Sequence, residues 1–206
     1  MKKKLSILVL SFVIAVAFVP AYAFADTAPA MKAYDQVLKS GSTVYCGGAA
    51  GIYKVKVKKG KVKSKKLIYK SYAPFDNYSY IGSMYKKGKY IYFMLWTEGT
   101  LCYLKRVSTS GKSKKLASLE ESCYGYSISG NRIFYDTYAW DRDAPSFMEM
   151  NLDGTGKKAS SVRANATVAK TNAKGYKAVI KKNGQYLKDY LKTPKGTYYL
   201  GKIKKN

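Results

Sequence analysis

The stretch KVKVKKGKVKSKK, Lys54 to Lys66, decides how the rest of this chain is read. Lys54, Lys56 and Lys58 alternate with Val55 and Val57, the two-residue period of a strand with one apolar and one wetted face. Gly60 interrupts the alternation and Val62 resumes it. The segment therefore reads as a β-hairpin with valines on one side and lysines on the other.

The same grammar extends along the chain. Tyr occurs 21 times in 206 residues, with β-branched neighbours that suit a pleated, half-buried surface. Glycine turns recur at Gly41, Gly88, Gly130 and Gly175, which are 47, 42 and 45 residues apart. Each is followed by an apolar or aromatic strand: Val44-Tyr45, Tyr90 to Phe93, Ile133 to Tyr135, and Tyr176 to Ile180. A further strand leads to a second glycine turn, at Gly60, Gly111, Gly154 and Gly196. With one strand before the first turn and one after the second, each unit holds four short antiparallel strands. Units of this length and strand number are the period of propeller blades. The expected fold is all-β: a β-propeller-like array of about four four-stranded antiparallel blades following a cleaved signal peptide. The approximate repeats are 31–70, 78–119, 123–162 and 166–206, within one domain over 26–206.

The third repeat carries GNRIFYDT, Gly130 to Thr137, and FMEMNLDGTGKK, Phe147 to Lys158. The first resembles the strand signature of YWTD propellers of low-density lipoprotein receptor type. The second is similar to that family's strand ending in Leu-Asp-Gly-Ser/Thr before a basic turn. TVYCGGAAGIYKVKVKKGK, Thr43 to Lys61, follows the pattern more loosely and resembles secreted bacterial propeller-like repeats with no assigned activity. The resemblance implies a propeller and names no chemistry, because unrelated activities share such scaffolds. Phe134-Tyr135-Asp136-Thr137 stands where the family has Tyr-Trp-Thr-Asp, so no role of that Trp carries over. The family closes with six blades, and this chain offers about four. An array that stays open leaves an unpaired strand edge, which favours self-association.

The start of the chain has three zones: Lys2 to Lys4, the apolar run Leu5 to Val19, and Ala23-Phe24-Ala25. That order is a secretory signal with an A-x-A cleavage site, assigning 1–25 to a signal peptide. The apolar run is shorter than the roughly 20 residues that span a bilayer, and no later stretch is as apolar. The mature chain is expected to be secreted and extracellular without a transmembrane segment, with the cell wall as a place to be held. Cys46, Cys102 and Cys123 are odd in number, so one intramolecular disulfide at most can form. A Cys102–Cys123 bridge and three small buried apolar side chains are both compatible with the spacing.

The formal net charge is +26, and about +23 once Lys2 to Lys4 leave with the signal. Nearly all of it is Lys; Arg occurs at 106, 132, 142 and 163. Ammonium groups are hydrated point charges, whereas Arg provides the planar fork for base and phosphate readout. The expected partner is an anionic cell-wall polymer or acidic glycan rather than sequence-specific nucleic acid. Lys54, Lys56, Lys58, Lys59, Lys61, Lys63, Lys65 and Lys66 form its candidate surface. Edge protection against aggregation is the competing reason for lysines on strands.

There is no His, which removes the His-dependent triads and the HExxH zinc motif. Ser83-Met84-Tyr85-Lys86 matches S-x-x-K and Ser129-Gly130-Asn131 matches S-x-N, but both are placed beside turns rather than on a helix, against the penicillin-binding class. The acidic residues cluster in the third repeat, at Asp136, Asp141, Asp143 and Glu149. Tyr138 and Trp140 stand among them in the loop TYAWDRDAP. An aromatic ring flanked by carboxylates suits a sugar, so Tyr138, Trp140, Asp141 and Asp143 are the alternative, carbohydrate-binding candidates. Glycoside cleavage by paired carboxylates is the third reading. No catalytic residue, cofactor or metal is assigned, and a non-enzymatic binding or structural protein is expected.

Overall fold

The computed structural model describes residues 26–71, 80–97, 102–119, 125–137 and 146–204. The protein is all-β, and no helix occurs among the described residues. After the short β1 (Asp26–Thr27), a first meander comprises β2 (Met31–Ser40), β3 (Thr43–Gly48), β4 (Gly51–Lys58) and β5 (Lys61–Lys70). A second comprises β6 (Tyr80–Lys87), β7 (Tyr90–Trp96), β8 (Cys102–Ser108) and β9 (Ser113–Leu119). A third comprises β10 (Tyr126–Ser129), β11 (Arg132–Thr137), β12 (Ser146–Asn151) and β13 (Lys158–Ala159). Then follow β14 (Val162–Arg163), β15 (Ala166–Thr171), β16 (Lys177–Asn183), β17 (Tyr186–Thr193) and β18 (Gly196–Lys204).

The strands of each meander pair antiparallel with their sequence neighbours, in the order β5-β4-β3-β2, β6-β7-β8-β9 and β10-β11-β12-β13. Tyr34 opposite Met84 joins β2 to β6, so the first two meanders form one sheet that curls into a half-barrel. The last quarter departs from the expected four-strand pattern. β16, β17 and β18 form a three-stranded sheet, while β15 leaves it and pairs in parallel with β2, Ala166 opposite Met31 and Ala169 opposite Tyr34. β1 and β14 pair in parallel just before them. Two chain segments distant in sequence thus run side by side, tied by Ala28 N–H donating to Arg163 O (2.9 Å) and Asn165 Nδ2 to Ala28 O (3.0 Å).

Turn chemistry fixes the registers. Lys59 (φ 49°) and Gly60 (φ 76°) both take positive φ in the two-residue loop between β4 and β5, the pair of angles that lets a hairpin follow its own twist. Gly51 opens β4 at φ 141°, where a Cβ would lie 1.8 Å from Tyr69 O. Ser83 also has positive φ (52°), at a register shift between Gly82 and Tyr85. The S-x-x-K run therefore lies in β6 at a register shift, just before the Gly88 turn, and no helix presents it.

The cores sit between meanders. Leu38, Tyr45, Ile52 and Ile68 of the first pack with Ile81, Ile91, Phe93 and Val107 of the second. Tyr92, Met94 and Leu104 of the second pack with Tyr126, Ile133 and Met150 of the third. Val44, Tyr53 and Val55 of the first pack with Tyr176, Leu191 and Leu200 of the last. A meander has two faces, and both need covering when the alternate residues on each are apolar. Cys46 and Cys102 are buried in two different cores, as small apolar side chains of this kind are; Cys123 lies outside the described residues.

Candidate functional site

The hairpin that opens the sequence reading keeps its two faces. Val55 and Val57 are buried, while Lys56 and Lys58 are exposed. Register places Lys54 opposite Lys66, Lys56 opposite Ser64 and Lys58 opposite Lys61. Directly opposed residues share a face, with Cβ atoms about 4.5–5.5 Å apart, so lysine stands against lysine. Lys63 falls at the register shift and Lys59 in the turn. Lys65 is opposite Val55 and turns the other way, its Nζ donating to Tyr199 O at 2.7 Å and lying 4.7 Å from that ring. Lys54 Nζ donates to Thr109 O (3.2 Å) and Lys66 Nζ to Ser110 O (3.1 Å), tying the first meander to the second. Lys56, Lys58, Lys59, Lys61 and Lys63 remain as exposed ammonium groups.

The pattern recurs where the sequence reading did not place it. Across β16 and β17, Lys177 opposes Lys192 and Lys181 opposes Lys188; Lys188 in turn opposes Lys202 of β18. On β8 and β9, Lys105 opposes Lys115 and Arg106 opposes Lys114. In KAVIKKNGQYLKDYLK, which lysine faces which depends on register. Edge protection accounts for lysines on β5, the outermost strand of its sheet. It does not account for Lys54 to Lys58 on β4, Lys105 on β8 or Lys188 on β17, strands with a neighbour on both sides. Opposed like charges destabilise a sheet.

Among the described residues, no ion pair reaches Lys56, Lys58, Lys181 or Lys188; Arg132–Glu149 (2.6 Å), Lys158–Glu149 (3.0 Å) and Arg163–Asp136 (3.7 Å) lie elsewhere. Among the described carboxylates, Asp189, Asp35 and Asp136 are held at junctions between segments. Asp189 of β17, fully buried, accepts the N–H groups of Ala49 and Ala50, both at 2.8 Å. It thereby holds the β3–β4 turn of the first meander against the last. Gly48 and Gly201 leave the space: a Cβ on Gly48 would lie 2.5 Å from the Asp189 carboxyl carbon, and one on Gly201 2.3 Å from the Tyr53 hydroxyl. Burial pushes the Asp189 carboxyl above the ordinary carboxylate range, although the two amides and Tyr53 pull it back. Asp35 of β2 accepts Ser83 N–H (2.9 Å) across the first seam. Asp136 accepts Ala164 N–H (3.0 Å), and burial raises its carboxyl against the pull of that amide and Arg163.

Of the acidic cluster read from the third repeat, Asp136 is thus a buried tie. Glu149 is an ion-paired group, held below its usual range by Lys158 and Arg132 against a desolvation penalty. Tyr138, Trp140, Asp141 and Asp143 lie outside the described residues, as does Arg142. Among the described residues, no group of three or more His, Cys, Asp or Glu converges as a metal site, and no helix is long and apolar enough to cross a membrane.

No protein-family model matches this chain, and no curated protein does. Among solved structures it is similar to the computationally designed Ika4 protein, with 13% identity over 85% of this chain and 96% of that one, at a TM-score of 0.34. It is also similar to the computationally designed Ika8 protein, with 7% identity over 80% of this chain and 57% of that one, at a TM-score of 0.31. Likeness at this level assigns no activity.

Proposed function

We propose that this is a secreted, non-enzymatic binding protein, held on an anionic polymer of the cell envelope by lysine rows on its sheets. The observation that carries the reading is the direct opposition of cationic side chains between an interior strand and its neighbour, at Lys54 and Lys66 and at Lys188 and Lys202. Such rows oppose folding when alone and become favourable against a polymer whose charges recur along its length. The signal-like start and the lysine-dominated charge support the same reading.

The scaffold in this reading is a four-bladed propeller. Its support is that three of the four junctions such a ring needs are packed. The first meander packs on the second, the second on the third, and the last on the first. Asp189 and the β2–β15 pairing reinforce the junction between chain start and chain end.

Sedimentation with purified cell walls tests the function. The mature protein should pellet with walls at low salt and be released steeply as ionic strength rises, since exposed charge pairs are screened over about 8–10 Å near physiological salt. Stripping the acidic polymers from the walls should abolish pelleting, and replacing Lys56, Lys58, Lys61 and Lys63 by Gln should reduce it. Binding that ignores salt, or that persists on stripped walls, would overturn the reading.

A further inference from the structure

A cleft of about 560 Å³ opens between the second and third meanders, where the Lys87–Tyr90 turn faces Asn131 and the Asn151–Asp153 turn. Arg106 forms one side of it. Its Nη1 donates to Leu152 O at 2.9 Å, and its guanidinium lies 4.4 Å from the centroid of Tyr90. The Tyr92 hydroxyl donates to the same carbonyl at 3.2 Å, which fixes the floor.

Arg106 differs from the other described arginines. Arg132 and Arg163 are ion-paired with Glu149 and Asp136, whereas among the described residues Arg106 has no carboxylate within 4.0 Å and attracts Asp153 only from across the cleft. One of its five N–H donors meets Leu152 O, and the fork retains donors able to grip two oxygens of one anion. Lys89 stands beside it, its Nζ 5.7 Å from the Tyr90 centroid, and Lys87 Nζ is held by Gly130 O. In a chain that otherwise carries its charge as Lys, a stacked and anchored guanidinium is the group suited to a defined anion rather than a diffuse one.

The volume exceeds what a bare ion fills and falls within the range of small-ligand sites. The opposite rim is acidic: Asp153, its Oδ1 taken by Thr155 N–H (2.9 Å) and Oγ1 (2.6 Å), lines the cleft with Asn131. A carboxylate and an amide there would receive hydroxyl groups while repelling a second anion. We infer that this cleft binds a phosphate ester of a polyol or sugar, its phosphate on Arg106, Lys87 and Lys89 and its hydroxyls toward Asp153 and Asn131. The inference deepens the polymer-binding reading, on which it rests for the phosphate source: a free ester and one unit of an envelope polymer offer the same chemistry.

Titration of the mature protein by calorimetry and by amide chemical shifts tests it. The probes are glycerol 3-phosphate, short glycerol-phosphate oligomers, inorganic phosphate and glycerol. Saturable shifts are expected at Gly88, Gly130 and Asp153 with both esters, and none with glycerol. Arg106→Lys, which keeps the charge and loses the fork, should weaken ester binding about tenfold or more; Lys89→Gln, at an exposed position, should weaken it severalfold. Lys56→Gln with Lys58→Gln should leave ester affinity unchanged while lowering wall sedimentation. Oligomers binding much more tightly than the monomer would identify the polymer as the source; equal affinity would identify the free ester. Absence of saturable shifts, equal binding by Arg106→Lys and Lys89→Gln, or inorganic phosphate as tight as the esters would each overturn the assignment. Ester binding at the cleft without salt-sensitive wall binding would uphold it and remove the polymer reading instead.

Discussion

Asp189 shows how a single side chain is used in this protein. One carboxylate satisfies two backbone amides at the far end of the chain, and nothing in KDYL around it distinguishes it from a surface acid. Asp189→Ala would leave two buried N–H groups without acceptors, a destabilisation of about 2–4 kcal/mol that chemical denaturation would read. Its pH dependence follows from the direction of its shift. Burial, the larger effect, raises the folded-state value above the ordinary one. The folded protein then binds the proton more tightly than the unfolded chain. The group's contribution to stability is full below its ordinary range, near pH 4, and is lost as pH rises through the raised folded value. The melting-temperature advantage of wild type over Asp189→Asn should therefore shrink from acid to neutral pH. A gap that widened over that interval would count against the buried, raised carboxyl.

At the level of the strand, the lysine hairpin sets stability against the proposed binding. Lys58 opposes Lys61 at the closing pair of the β4–β5 turn. Lys58→Glu would turn a repulsive cross-strand pair into an attractive one and stabilise the hairpin by a few tenths of a kcal/mol. The same change should weaken wall sedimentation. A variant that gained stability and kept full binding would separate the lysines from the polymer. The strand pattern itself was readable in advance, because Val55 and Val57 alternate with lysines and Gly60 marks the turn. Register was not readable. The shifts at Ile52/Tyr53 and Lys56/Val57 decide which lysines face one another and turn Lys65 to the other side.

At the scale of the whole molecule, the seams make one further expectation measurable. If the first and last meanders stay joined through β2, β15 and Asp189, the mature chain should scatter as a monomer with a radius of gyration of about 16 Å, the value for a compact chain of its length. A markedly larger value, or a concentration-dependent dimer, would indicate that the array opens and pairs through its edges. The proposed binding surface is distributed across this same scale, since its lysine rows lie on the first, second and last meanders.

The sequence by itself determined that the chain is all-β: two-residue periodicity, tyrosines with β-branched neighbours, and glycines where positive φ is required act locally and need no partner. It also determined the lysine excess and the absence of histidine chemistry. Only the tertiary structure decided that β15 pairs with β2 in parallel, that Asp136 and Glu149 are structural ties, and that Arg106 faces Asp153 across a cleft without an ion pair. Those outcomes depend on which surfaces meet between segments that are not neighbours along the chain. A local pattern carries no information about that meeting, because the same strand can bury its apolar face against any complementary neighbour.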